Sequence, residues 1–197
     1  MKTALKENKK LLKELIYEEV NGKPIYYKNY KLVIKGKKTL EEVMASSSLQ
    51  VRLKSELSYY LHTLLRNKGY VVLVSEIGIK LRKGGTRSLD LAIYKFEDYK
   101  PYKNSSSYLP ISPIVAIEID IKAEIKNQNF MDYVIRKIED LFEMETLKVI
   151  WIFTSPKIIL VANKNNDWLI KNWEDEINII DDVNIKLKEI LGGFERW

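Results

Sequence analysis

The chain has 197 residues, no cysteine and one histidine, with 33 Lys and Arg against 27 Asp and Glu, a net charge of +6. Cysteine zinc sites, Cys/His nucleophile pairs, disulfide scaffolds, iron–sulfur clusters and any two-histidine site within one chain are thereby excluded. If the chain is an enzyme, carboxylates, lysines, hydroxyls and a bound hard cation remain as its means of catalysis.

The length fits one domain with an extension. No apolar run approaches the length that spans a bilayer, so no membrane association is expected, and the cysteine-free composition fits a cytoplasmic protein. The positive charge is local. Residues 1–38 hold eleven lysines and four glutamates, while the rest of the chain is close to neutral. Residues 1–38 therefore read as a basic helix-and-hairpin extension and residues 39–197 as the main domain.

In chain order, residues 3–19 have the spacing of a basic amphipathic helix, with Leu5, Leu11, Leu12, Leu15 and Ile16 on one side. Asn21-Gly22 signals a hairpin turn, and Leu32-Val33-Ile34 extends what reads as a small antiparallel unit. Thr39 and Glu42 have capping-box spacing for a short helix. A serine run at 46–48 caps the next helix, which carries Leu53, Leu57, Tyr60, Leu61 and Leu64 and ends at Gly69. Strands follow at Tyr70–Leu81, Leu89–Tyr94 and Ile114–Lys122. Between the first two lies a turn with a basic knot, Lys80, Arg82, Lys83 and Arg87. A helix is expected over 129–145, strands at Lys148–Phe153, Lys157–Ala162 and Trp168–Trp173, and a closing helix over 183–191. This order describes a mixed α/β sheet with helices packed on it.

Residues 115–122 carry the chemistry. A strand alternates faces, so Val115, Ile117, Ile119 and Ile121 fall on one side and Ala116, Glu118, Asp120 and Lys122 on the other. Neighbours on one face are roughly 7 Å apart. Charges in a covered strand are costly unless paired or bound to metal. A cleft with a cation resolves that cost; a half-exposed strand with its charges in water is the alternative. Asp120-Ile121-Lys122 has the acid-x-lysine spacing of many metal-dependent nucleases. Asp90 adds an acid one strand earlier, opposite the Leu89/Leu91/Ile93 face. Glu76 lies on the polar-leaning side of the strand before that. His62, on a Tyr/Leu-rich helix, reads as a packing residue, and Gly84-Gly85 lacks the signature of a phosphate-binding loop.

Several of these runs, in this order, resemble the Uma-type family of restriction-endonuclease-like proteins, in the PD-(D/E)xK nuclease superfamily. They are Ile16 to Tyr27 around Asn21-Gly22, Thr39 to Met44 with the serines and Leu49-Gln50 after them, Leu89 to Tyr94, Val115 to Ala123, and Val149 to Phe153. The residue before Asp90 is Leu89 where the superfamily's name has proline. The resemblance implies a restriction-endonuclease-like mixed sheet flanked by helices and an Mg²⁺- or Mn²⁺-dependent endonuclease acting on DNA. It carries over Asp90, Glu118, Asp120 and Lys122 as active-site residues, the three acids as metal ligands, and Glu76 as an addition. Many relatives also have a lysine in the helix after the acidic strand, for which Arg136 and Lys137 compete. Lys80, Arg82, Lys83 and Arg87 are the candidate phosphate contacts, and a homodimer is compatible with the basic arm. The rival reading is an inactive nucleic-acid-binding or assembly module on the same fold.

Overall fold

The structure is a computed structural model that describes residues 9–124 and 130–192. Residues 9–14 are helical (α1), and the chain then enters a hairpin of β1 (Ile16–Val20) and β2 (Lys23–Tyr26). The expected helix over 3–19 is thus cut short. Ile16 to Glu19 pair with β2, and β1 also joins the main sheet through Glu19 and Val20. The first half of that expected helix lies outside the described residues. Residues 32–34, expected to extend the antiparallel unit, instead belong to a short helix, α2 (Tyr30–Ile34).

Helix α3 (Leu40–Met44) opens on the Thr39/Glu42 capping box. Helix α4 (Ser48–Leu65) opens on a second box, in which the Ser47 hydroxyl accepts from the Gln50 amide and the Gln50 side chain accepts from the Ser47 amide. A 3₁₀ turn and Gly69, at φ 82°, end this helix. Leu53, Leu57, Leu61 and Leu65 form its buried stripe.

The long hairpin β3 (Tyr70–Lys80) and β4 (Gly85–Lys95) follows, and after α5 (Phe96–Tyr99) comes β5 (Val115–Ile119). Helix α6 (Phe130–Glu143) leads into β6 (Lys148–Phe153), β7 (Ile158–Asn163) and β8 (Leu169–Asn172). A separate ribbon of β9 (Ile177–Ile180) and β10 (Val183–Ile185) precedes α7 (Leu187–Gly192), so the expected closing helix is half strand.

The large sheet has eight strands in the order β2-β1-β4-β5-β6-β7-β8, with β3 also paired to β4. Only β5 and β6 run parallel among its pairs. Two apolar layers cover it. Val115, Ile117 and Ile119 pack with Ile150, Ile152 and the leucine stripe of α4. Ala116, Val149, Trp151 and Leu160 pack with Val134, Ile138 and Leu141 of α6 on the other face. The chain is therefore a mixed α/β protein with a large, mostly antiparallel sheet flanked by helices.

One edge of β4 decides where the site lies. Its other edge is covered by β3 along its whole length. On this edge β1 pairs with Gly85 and Thr86, and β5 pairs with Leu91, Ala92 and Ile93. Residues 87–90 lie in the fork between the two ladders. Gly85 makes the first ladder possible. Its φ is +96°, and a β-carbon there would fall 2.2 Å from the Glu19 carbonyl oxygen.

Candidate active site in the fork of the sheet

Within the fork the side chains take over from the missing ladder. The backbone N–H of Ser88 donates to Glu18 Oε1 at 3.1 Å, and the Ser88 carbonyl accepts from Lys137 Nζ at 2.6 Å. The Ile119 N–H donates to Asp90 Oδ2 at 2.8 Å. Buried backbone groups need partners, so these carboxylates and this ammonium are held where the strands diverge. The regular alternation of β4 also breaks here. Leu89 packs on the α6 side while Leu91 and Ile93 pack on the α4 side, so the three do not share the face expected of them. Opposite them β3 carries a bulge between Val74 and Ile77, where Ser75 and Glu76 have positive φ.

Three buried carboxylates and three buried or nearly buried cations meet in the fork. Glu18 is bound on both oxygens: Oε1 by Lys137 Nζ at 2.9 Å and the Ser88 amide, Oε2 by Arg87 at 2.7 Å and the Tyr133 hydroxyl at 2.8 Å. Although burial opposes ionisation of Glu18, Lys137 and Arg87 hold its carboxyl below the usual range. Asp90, 3% exposed, pairs through Oδ1 with Lys54 Nζ at 2.5 Å. Glu118, 2% exposed, meets Lys137 Nζ through Oε2 at 3.1 Å, and its Oε1 has no hydrogen-bond partner. Burial, opposed by Lys137 and reinforced by the charges of Asp90 and Glu18, pushes the Glu118 carboxyl up to about 8. The Lys137 ammonium loses hydration by burial, yet Glu118 and Glu18 hold its affinity for the proton above the ordinary value.

The half-exposed strand is ruled out for β5, because all five of its residues are buried between β4 and β6. The row of three charges does not form either. The strand stops at Ile119, and Asp120 adopts a left-handed backbone at φ 57°, a conformation open to Asp. Its side chain leaves the face of Glu118. Oδ1 accepts from the Thr154 amide at 2.8 Å, and Oδ2 accepts from the Thr154 hydroxyl and from Gln50 Nε2, each at 2.7 Å. The Trp151 indole donates to the Asp120 carbonyl at 2.8 Å.

Lys122 lies two residues further on and pairs with Glu76 at 2.8 Å. Burial disfavours its charge, but Glu76 and Asp90 outweigh that and raise its affinity for the proton. Lys122 lines a surface cleft of about 890 Å³ together with Lys28, Gln50, Asp120 and Phe153. Glu76 lines a separate cavity of about 220 Å³ beside Tyr27. Asp90 and Glu118 line neither.

The expected residues thus separate. Asp90, Glu118 and Lys137 converge in the fork, with Lys122 and Glu76 at its margin. Of Arg136 and Lys137, Lys137 is fully buried on Glu118, and Arg136 is exposed. Asp120 is anchored elsewhere. Of the basic knot, Arg87 is not a surface contact, since its guanidinium is buried on Glu18 and Asp140. Lys83 pairs with Glu143 and Arg82 with Glu145, so acids at the end of α6 offset this patch; Lys80 is exposed.

Sequence reasoning missed Glu18 and Lys54 as site residues. Lys54 had a signal, for it stands four residues after Gln50, on the side of α4 that meets Asp120 and Asp90. Lys137 had one as well, as a lysine inside the Tyr133, Val134, Ile138, Leu141 stripe. Nothing in the hairpin singled out Glu18.

Among the described residues no group of three or more His, Asp or Glu side chains is arranged to hold a metal ion. A smaller donor set does fit one. Asp90 and Glu118 each have one oxygen fixed inside the protein and one that is not fixed by backbone. Mg²⁺ commonly takes one or two carboxylates and completes its shell with water and phosphate. Glu18 and Asp120 fit less well, because in each the oxygen that no backbone group holds already has two side-chain donors.

No protein-family model and no curated protein matches the chain. Among solved structures it is similar to a protein from Anabaena variabilis described as a putative nuclease belonging to DUF820. The TM-score is 0.67 at 12% sequence identity, over 94% of this chain and 97% of that one. The likeness is one of fold. Among the described residues no helix is long and apolar enough to cross a membrane.

Proposed function

We propose that this chain is a metal-dependent nuclease that hydrolyses phosphodiester bonds in DNA. One observation carries the reading: Asp90 and Glu118 converge in the fork, each with an oxygen that no backbone group secures, beside the buried ammonium of Lys137. In this reading Asp90 and Glu118 hold the cation. Mg²⁺ or Mn²⁺ would supply Lewis-acid polarisation of the scissile phosphate. Lys137 keeps the Glu118 side chain in place through Oε2. Lys122, at the cleft, is placed to meet substrate phosphate and to orient a water, provided its pair with Glu76 opens. Preset charges of this kind stabilise charge that develops in a phosphoryl-transfer transition state. Asp120 acts here through Gln50 and Thr154, fixing the end of β5, rather than as a ligand. The DUF820 fold neighbour supports the class of reaction and no more than that.

The test is nicking of supercoiled plasmid with Mg²⁺ or Mn²⁺, comparing wild type, Glu118→Gln and Asp120→Asn. Cleavage is expected from wild type, a loss of at least about 100-fold with Glu118→Gln, and a smaller loss with Asp120→Asn. Cleavage by Glu118→Gln at the wild-type rate would refute the assignment.

A second reading is a binding module without turnover. It draws on the closed state of the site: Lys54 occupies Asp90 Oδ1 and Lys122 is tied to Glu76. DNA binding that weakens with salt, without nicking at any metal concentration, would favour it.

A further inference from the structure

We infer that Lys54 is the site's resident counter-cation, a positioning residue whose ammonium balances Asp90 until a divalent cation displaces it. The inference rests on the reading that Asp90 and Glu118 hold such a cation. The bound acidic side chains in the fork and beside it are of two kinds. In Glu18 and Asp120 one oxygen is held by a backbone amide and the other by two side-chain donors. Asp90 differs. Its Oδ2 is fixed by the Ile119 amide, while Oδ1 is paired with the end of a lysine side chain. Glu118 parallels it, with Oε2 on Lys137 and Oε1 unpartnered.

The carrier of Lys54 is fixed and its head group is not. Helix α4 is locked by its leucine stripe, with Leu53 and Leu57 fully buried on either side of Lys54. The lysine stem has four rotatable carbons, and its side chain keeps 12% exposure, against none for Lys137. Lys54 can therefore withdraw its ammonium toward solvent without moving the helix, whereas Lys137 cannot. A buried Asp90 without a neighbouring cation would be costly. Lys54 meets that cost in the metal-free protein and competes with the metal for the same oxygen.

The experiment measures Mn²⁺ affinity by electron paramagnetic resonance and by calorimetry on the full chain, without substrate. The proteins are wild type, Lys54→Met, Lys54→Arg and Asp90→Asn. Lys54→Met should bind Mn²⁺ roughly tenfold tighter, about the effect of removing one competing charge pair. Lys54→Arg, with a bidentate grip on the carboxylate, should bind more weakly than wild type. Asp90→Asn should abolish the site. If Lys54→Met does not fold without metal, the Lys54→Arg comparison decides alone. Equal affinity in wild type and the Lys54 variants overturns the role of Lys54 and leaves the metal reading standing. Binding by none of them overturns both.

Discussion

At the scale of single residues, burial acts on chemically identical side chains with opposite results. Glu18 and Glu118 are both almost fully buried. Glu18 has four donors and stays ionised; Glu118 shares one ammonium and keeps an empty oxygen, so its carboxyl rises to about 8. The linkage has a definite sign. Below about pH 4.5 both folded and unfolded forms carry the Glu118 proton. Between there and about pH 8 the folded protein retains a proton that the unfolded chain has released. Stability from this group therefore falls as pH rises through that window, at on the order of 1 kcal/mol per pH unit, and levels off above it. Urea denaturation in EDTA from pH 5 to 9 should show this decline, and Glu118→Gln should remove it and exceed wild type in stability at pH 9. A Glu118→Gln curve parallel to wild type would show that the group is not protonated in the fold. The acid itself was legible in the sequence as a charge in an apolar strand. Its difference from Asp120 was not, because a left-handed backbone at Asp120 itself, just past the strand end, sends that side chain elsewhere.

At the scale of elements, the hairpin β1–β2 supplies the chemistry of the fork rather than merely extending the sheet. Glu18 reaches Arg87 and Lys137, which come from β4 and α6. That arrangement requires β1 to lie tight against the start of β4, and Gly85 allows it. Gly85→Ala should destabilise the protein by more than about 1 kcal/mol, since the backbone is left-handed there and the added carbon meets the Glu19 carbonyl. Thermal denaturation checks the loss, and Gly84→Ala is the control, because φ is also positive there but no neighbouring atom lies within 4 Å. A larger loss is expected at Gly85; equal losses would mean that the close approach costs nothing. The turn, the Thr39/Glu42 capping box, a serine cap for α4 and three of its four buried leucines were readable locally, while Leu65 takes the place expected of Leu64 and Tyr60 is exposed. The end of the first helix at residue 14 was not. Its amphipathic spacing continues through Ile16, but sheet pairing with β2 claims Ile16 onward.

At the scale of the whole molecule, the charge map changes meaning. Arg87 looked like part of a surface knot and is a structural cation joining β4, β1 and α6. Arg87→Ala should cost about 3–5 kcal/mol by breaking the buried pair with Glu18 and the part-buried pair with Asp140, whereas Lys83→Ala, on an exposed pair, should leave the melting temperature nearly unchanged. Comparing the two melts decides it: a mild Arg87→Ala would return that residue to the surface reading. From its residue pattern alone the chain determined the class of fold, most strands and helices, and the exclusion of cysteine and paired-histidine chemistry. It also left carboxylates, lysines and hydroxyls as the side chains available for chemistry, since composition and local periodicity are properties of the chain itself. Tertiary structure alone decided which charges meet. Glu18, Lys54, Asp90, Glu118 and Lys137 come from five elements far apart in sequence. They are brought together by a gap between two ladders on one strand, and a gap in pairing exists only once the sheet is assembled.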